Sequence, residues 1–341
     1  MHRIAVTGAA GLVGRHLLPA LADHPAVEGV VGLDVREPDR RPKAVGFHRV
    51  DIAGTPLRPV LEGVDVVVHL AGVVDPVPDE KLMARVNVEG TRHVLEEAAA
   101  VGVRRIVRIS NAAVYGAWPD NPVPLTEDAT LRPNARFSPA VQGAEVERLL
   151  AAWRADHPGV TVTTLRAAPV VGGDGSERLL ARLLLGRPQL RVRGAAPPVQ
   201  VVHVSDLVSA LVLAATTDLP GVHNVAADGW LDAEARRALF PTRVPALPAD
   251  RLERVLARAW ELGIGDIPPG IVPYLQYPVV LDNAKLRATG WAPQVSNVDA
   301  IREALAARPP RDRRPAIAAG AVVSAGVVTT VAVARRRRRR Q

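Results

Sequence analysis

The 341-residue chain has no cysteine. Disulfides, thiolate zinc centres and cysteine nucleophiles are excluded, and packing alone must hold the core. Lysine is nearly absent: the 43 basic residues include only Lys43, Lys81 and Lys285. Aromatic residues are scarce, and the tyrosines are Tyr115, Tyr274 and Tyr277. Four positions beyond them stand Pro119, Pro278 and Leu281, so no Tyr-x-x-x-Lys pair occurs anywhere. A phenol ordinarily has a pKa of roughly 10 and is brought into working range by a neighbouring cation. The local form of that device is missing. No spacing of His, Asp and Glu suggests a metal site.

Positive charge is lacking over most of the chain. The net charge is +8, but Arg335 to Arg340 form an unbroken run, and Arg308 to Arg314 hold four Arg against one Asp. The first 307 residues are therefore close to neutral, which argues against a nucleic-acid-binding core. The N-terminus lacks a charged leader with an apolar stretch and cleavage site, so a cytoplasmic protein is expected.

What is present is an alternation of short β-branched runs with helical patterns. Strands are predicted at Arg3–Thr7, Val30–Asp34, His48–Asp51, Val64–Leu70, Arg105–Ser110 and Val160–Arg166. Helices are predicted at Leu12–Ala22, Lys81–Val101 and Ala144–Ala155, the second from Leu82, Val86, Val94, Leu95 and Ala98 at helical spacing. Such alternation predicts an α/β fold, a Rossmann-type doubly wound parallel sheet with helices on both faces. Strands such as DVVVHLAG are apolar almost throughout, as burial on both faces requires. After about Gly172 Pro-rich pieces separate short helices such as Leu207–Ala215 and Arg251–Glu261. The expected organisation is a Rossmann core over 1–172, a smaller substrate lobe over 173–307 interleaved with the last core elements, and a tail over 308–341.

The first strand runs into VTGAAGLVGRHLL, with Gly8, Gly11 and Gly14 spaced G-x-x-G-x-x-G. The first glycine permits the tight turn, the second lets backbone N–H groups approach a pyrophosphate, and the third lets helix and strand pack closely. Asp34 ends the next strand 20 residues beyond Gly14. A carboxylate there accepts hydrogen bonds from ribose hydroxyls and repels a 2′-phosphate, favouring NAD over NADP, while Arg36 nearby works the other way.

These residues belong to a wider set of motifs, in order along residues 3 to 305. TGAAGLVG is followed by Val50-Asp51-Ile52, His69-Leu70-Ala71-Gly72, Asn87-Val88-Glu89-Gly90-Thr91, Ser110-Asn111-Ala112-Ala113-Val114-Tyr115-Gly116, Leu165-Arg166 with Pro169-Val170-Val171-Gly172, Val202-His203-Val204-Ser205-Asp206 and Thr289-Gly290-Trp291-Ala292-Pro293. Together they resemble an extended short-chain dehydrogenase/reductase of the NAD-dependent epimerase/dehydratase type. The resemblance implies an NAD site built from Gly8, Ala10, Gly11, Leu12, Val13, Asp34, Asp51, Ile52, Leu70, Ala71, Gly72, Asn87 and Ser110. Asp51 would hold the adenine amino group. The implied substrate is a small molecule, a nucleotide sugar or similar hydroxyl/keto compound. Lys81–Val101 and Ala144–Ala155 would form the family's homodimer face.

The departures fall on the chemistry. The family's catalytic Ser/Thr position holds Asn111, and Ser110 beside it should point to the other face of the strand. The family's Tyr and Lys fall on Pro139 and Gly143, placed by the match of Ala144-Glu145-Val146-Glu147-Arg148-Leu149-Leu150. Proline donates no proton, and glycine neither tunes a phenol nor holds a ribose. The remaining catalytic candidates are weak. Tyr115 lies at a strand's C-terminal end, where open α/β sheets place ligands, but reads more readily as a pocket or structural tyrosine. Asn111 is a neutral donor able to polarise a carbonyl, or a strand-end cap. His69 and His203 read as structural histidines. Glu127 and Asp128 follow the V-Y-G loop, where the family has an acidic residue near substrate, with a solvated loop as the alternative.

Ala316–Ala334 is free of charge and, at 19 residues, long enough to span a bilayer. Its Ala, Val, Gly and Thr composition gives a weak driving force. A spanning helix, a peripheral tail held by its arginines on anionic lipid, and a disordered extension all remain open. Two functions also remain open: an epimerase, dehydratase or reductase, and a dinucleotide-binding redox sensor or scaffold without catalysis.

Overall fold

The computed structural model describes residues 1–173, 178–186, 189–240 and 244–307. The tail over 308–341, with its apolar segment and arginine run, lies outside the described residues. Among the described residues no helix is long and apolar enough to cross a membrane.

The chain begins β1 (His2–Thr7), α1 (Leu12–Ala22), β2 (Val27–Asp34), β3 (Gly46–Arg49), α2 (Arg58–Leu61) and β4 (Val66–His69). It continues with α3 (Glu80–Ala84), a π-helical turn at Arg85–Glu89, α4 (Gly90–Ala100), β5 (Arg105–Asn111), a 3₁₀ turn at Ala112–Tyr115, α5 (Ser138–Asp156) and β6 (Thr161–Ala167). Then come β7 (Val170–Val171), α6 (Leu179–Leu184), β8 (Val202–His203), α7 (Val204–Thr216), β9 (Gly221–Val225), α8 (Ala233–Leu239), α9 (Ala249–Glu261), α10 (Val272–Gln276), α11 (Ala284–Arg287) and α12 (Asn297–Ala306). Seven strands form one parallel sheet in the order β3-β2-β1-β4-β5-β6-β9, and β7 and β8 pair separately. The order reverses between β1 and β4, the switch point at which doubly wound sheets open a ligand crevice. This is a Rossmann fold extended by one strand.

Alternation along the strands divides the core. Ile4 and Val6 of β1 and Val66 and Val68 of β4 pack with Leu17, Leu18 and Leu21 of α1 and Leu207 and Leu211 of α7. Ala5 and Val67 face the opposite side, against Val94 and Leu95 of α4 and Val146 and Leu150 of α5. A third cluster joins Phe137, Leu179, Leu183, Leu252, Leu256, Ile271 and Leu275. It holds the C-terminal lobe over the sheet's carboxyl edge. Both β9 and α7, from the segment after residue 172, complete the core sheet and its cover.

Two segments differ from their sequence periodicity. Lys81–Val101 is broken by the π turn at Arg85–Glu89 rather than being one α-helix. Leu82, one of the apolar residues at helical spacing, is 45% exposed, and Met83 beside it is buried. The wider turn rotates the face of the first segment and swings Asn87 inward, where its Oδ1 accepts from Val73 N at 2.7 Å and its Nδ2 donates to Val73 O at 3.0 Å. The helix expected at Ala144–Ala155 starts six residues earlier, because Pro139 occupies its first turn, where a missing N–H costs nothing.

Candidate functional site

The glycine turn is enforced by backbone crowding. Gly8 has φ 71°, and a Cβ on it would stand 2.7 Å from both Ala71 N and Leu70 C. A Cβ on Gly14 would stand 2.4 Å from Gly8 O and 2.7 Å from Ala9 O. Only glycine lets β1, the start of α1 and the end of β4 meet so closely. Gly11 enters α1 in extended conformation, with no side-chain cap and no acidic residue in the first turn. The helix therefore presents uncapped N–H groups and its positive dipole end, the arrangement that binds a diphosphate.

The flanking carboxylates are fastened by backbone donors. Asp34 Oδ2 accepts from Ala10 N at 2.9 Å, and Oδ1 accepts from Arg36 N at 3.0 Å. Asp51 Oδ1 accepts from Ala53 N at 3.0 Å, and Oδ2 accepts from Arg85 Nη2 at 3.3 Å. These bonds aim two acidic groups at one end of a cleft that already favours a diphosphate. The donor set fits a dinucleotide.

His69 forms the floor beside them. Its Nδ1 lies 2.8 Å from Thr7 Oγ1 and its Nε2 2.9 Å from Thr91 Oγ1. Thr91 Oγ1 donates to Asn87 O at 2.6 Å, so it accepts from His69 Nε2–H. Nδ1 then accepts from the Thr7 hydroxyl. Both ring nitrogens are spent in the neutral state, and burial followed by the nearby Arg108 charge lowers the pKa to about 3.

Ser110 and Asn111 do not face opposite ways, as strand alternation requires. Ser110 Oγ donates to Glu147 Oε1 of α5 at 2.5 Å. Asn111 Nδ2 lies 3.6 Å from the place a Cβ of Gly143 would take, also on α5. Asn111 Oδ1 caps the 3₁₀ turn by accepting from Ala113 N at 3.0 Å. The strand ends there, and the turn brings both side chains to the same helix.

Tyr115 is buried and spent in a polar network. Its hydroxyl donates to Asn224 Oδ1 at 2.8 Å and accepts from Arg166 Nη1 at 2.8 Å. Burial raises its pKa, with Arg166 opposing. Glu127 closes the same network, its Oε1 accepting from Asn224 N at 2.8 Å. His203 caps α7 and lies 3.3 Å from Glu303. These groups hold the frame together.

The glycine turn, the two carboxylates, His69, Ser110 and Asn111 open on one cavity of about 680 Å³. Gly8, Gly11, Leu12, Val13, Asp34, Asp51 and Ile52 line one end. Leu70, Ala71, Gly72, Asn87, Ser110 and Asn111 line its middle. Ala10 does not line it and acts on it through Asp34; Tyr115 does not line it either. Pro139 and Gly143 face the cavity where the resemblance places tyrosine and lysine.

Sequence reasoning missed several lining groups. Tyr274 packs against Phe137 with ring centroids 5.0 Å apart and donates to Ala113 O at 2.9 Å. Burial pushes its pKa up, so it is a neutral donor and not a base. Tyr277 and Gln200 join it at that end. Asp75 accepts from Leu179 N at 2.9 Å and pairs with Arg178, fastening the loop after β4 to α6. Arg108 also lines the cavity. The signal available for it was a charge inside the otherwise apolar strand RIVRIS.

Comparison with known proteins agrees with this geometry. The sequence profile of the NAD dependent epimerase/dehydratase family matches residues 4–226. The uncharacterized protein Rv0501 of Mycobacterium tuberculosis is 30% identical over 312 residues, covering 87% of this chain and 82% of that protein. A 3-diazoavenalumate denitrifying reductase from Streptomyces is 34% identical over 277 residues, covering 73% and 86%. The UDP-glucose 4-epimerase of Thermus thermophilus, solved in complex with NAD, superposes with a TM-score of 0.66 at 25% identity, covering 89% of this chain and 98% of that one. With its glycine cradle, its paired carboxylates and a family match spanning the whole sheet, the chain belongs to the NAD dependent epimerase/dehydratase family.

Proposed function

We propose that the protein is an NAD-dependent enzyme acting on a nucleotide sugar or a similar hydroxyl/keto small molecule, and that it works as a reductase. The observation that carries this reading is the single cavity. It joins the dinucleotide cradle at Gly8 and Asp34 to a chamber walled by Tyr274, Tyr277 and Gln200 of the C-terminal lobe, which gives room for two molecules end to end.

Gly8, Gly11 and the start of α1 hold the diphosphate, Asp34 the adenosine ribose, and Asp51 with Ile52 the adenine. Leu70, Ala71 and Gly72 lie along the cofactor, and Asn87 anchors the loop at Val73 above it. Bound NAD supplies the hydride carrier. The protein's own neutral donor at the reacting end is the Asn111 amide, since the Tyr274 hydroxyl gives its one proton to Ala113 O. A neutral donor polarises an acceptor that is to receive a hydride. Pro139 and Gly143 supply neither a base nor an acid, so the proton that completes the reduced alcohol comes from water in the cavity. The kinship with a protein named as a reductase supports the same direction.

Mass spectrometry of the small molecules released on denaturing the purified full chain tests the reading. NAD(H) should be found, or should bind on titration, and NADH should be consumed with a keto nucleotide sugar or a related acceptor. A chain that neither carries nor binds any nicotinamide nucleotide would overturn it.

A further inference from the structure

Arg108 has no ordinary reason to be where it is. It stands in a central strand of a sheet covered on both faces, between Val107 and Ile109. The residue is half-buried there, with its Nη1 fully buried, and guanidinium groups taken out of water are usually paired. Its register partner across the ladder is His69, and Ser110, two residues on and on the same face, bonds to Glu147. Arg108 thus projects into the space between His69 and α5.

It pairs with neither neighbour. His69 has both nitrogens engaged by threonines. The Glu147 carboxylate is filled by Arg166 and Ser110. Among the described residues Arg108 has no hydrogen-bond or ion-pair partner, and its Nη1 is buried without one. Of the three other arginines on the cavity wall, Arg85 is matched to Asp51 and Arg178 to Asp75, and Arg36 is exposed to solvent. Burial lowers the Arg108 pKa to about 10, which leaves it charged at neutral pH. The group faces the cavity, so a partner can reach it from there.

The position also meets a deficit. The resemblance assigns a lysine to position 143, and α5 has glycine there. Backbone and side chains are already tight at that point: a Cβ on Gly143 would lie 2.9 Å from Val114 Cγ1. No cation can come from that helix position without repacking, and the sheet supplies one instead.

We propose that Arg108 is a cofactor-holding residue: its guanidinium donates to oxygen atoms of the nicotinamide-ribose half of the dinucleotide. This rests on the NAD-binding reading above. The charge comes from β5 and not from α5, so it holds the ribose without a tyrosine beside it to activate.

Calorimetric titration of the full chain with NAD, ADP-ribose and AMP tests this, using the wild type, Arg108→Met and Arg108→Lys, with melting temperatures of the ligand-free proteins. Arg108→Met should bind NAD and ADP-ribose at least tenfold more weakly and AMP within twofold of the wild type. Its ligand-free melting temperature should not fall, since the half-buried guanidinium makes no hydrogen bond or ion pair among the described residues that the substitution would remove. Arg108→Lys should lie between the two. If Arg108→Met does not fold, Arg108→Gln, which keeps a donor without the charge, serves for the same comparison. NAD affinity within twofold of the wild type in the uncharged variant would overturn the proposal, and so would an equal loss for AMP. A wild type that binds no NAD would instead remove the underlying reading, and the proposal with it.

Discussion

Glu147 Oε2 and Arg166 Nη2 meet at 2.7 Å, with both side chains only 6% exposed. The pair ties α5 to β6 directly beneath the reacting end of the cavity. It also organises its surroundings, since Ser110 donates to the Glu147 carboxylate and Arg166 donates to the Tyr115 hydroxyl. Removing one partner strands the other charge in a dry site. Arg166→Met should therefore cost about 3–5 kcal/mol in urea unfolding. The double variant with Glu147→Met should recover much of that loss, because the orphaned charge goes with it. A single-variant cost under about 1 kcal/mol would show that solvent reaches the pair.

Tyr115 should behave as a frame residue. Tyr115→Phe removes the donor to Asn224 and the acceptor for Arg166. The expected cost is about 1–3 kcal/mol of stability, with NAD affinity within twofold of the wild type. Loss of turnover at unchanged stability would instead restore a chemical role to its hydroxyl.

Gly14→Ala places a methyl group 2.4 Å from the backbone oxygen of Gly8. Neither partner is a side chain that can swing away, so the turn itself must move. Stability should fall by about 1–3 kcal/mol, and calorimetry should show NAD binding weakened at least tenfold. Unchanged affinity would mean that the turn does not hold the diphosphate.

The proposed site gives Asp34 the adenosine ribose, and with it the choice between NAD and NADP. Asp34→Ser keeps an acceptor for Ala10 N and removes the charge that repels a 2′-phosphate. The ratio of NAD to NADP affinity should fall about tenfold or more. A ratio that does not move would place the adenosine ribose elsewhere.

Protonating His69 must break a closed hydrogen-bond chain. Its folded pKa of about 3 lies below the ordinary value of 6.5, chiefly through burial. Between those values the unfolded chain binds the extra proton and the folded chain does not, so stability is full above about pH 6.5 and is lost as pH falls toward 3. The loss from this residue between pH 7 and pH 5 is about 2 kcal/mol. His69→Gln should flatten the measured pH dependence by about that amount over the same window. An unchanged slope would mean that His69 is solvated in the folded protein.

Much of this site was legible in the chain before folding. Gly8, Gly11 and Gly14 announce their turn by their spacing; the crowding at Gly11 and Gly14 is local, against Gly8 O, while the crowding at Gly8 comes from Leu70 and Ala71 of the distant β4 end. Asp34 and Asp51 follow at strand ends, and strand ends are visible as breaks in apolar runs. That no Tyr-x-x-x-Lys pair occurs in the chain was equally plain, since residue types are read directly from the sequence. The π turn was not legible. Periodicity over Lys81–Val101 fits a plain helix, and only the bonds from Asn87 to Val73 show why one turn widens.

By itself, then, the sequence determined the parallel α/β plan, the glycine turn of the dinucleotide site and the absence of any Tyr-x-x-x-Lys pair, because each follows from local spacing or from residue type. The tertiary structure alone decided which groups replace or surround that pair. Tyr274 reaches the cavity wall at Ala113 from 161 residues away. Arg108 comes to face the cavity between His69 and α5 through the β4–β5 register. Those meetings depend on strand order and on which faces the helices cover, and that information is spread over the whole core and absent from any single stretch.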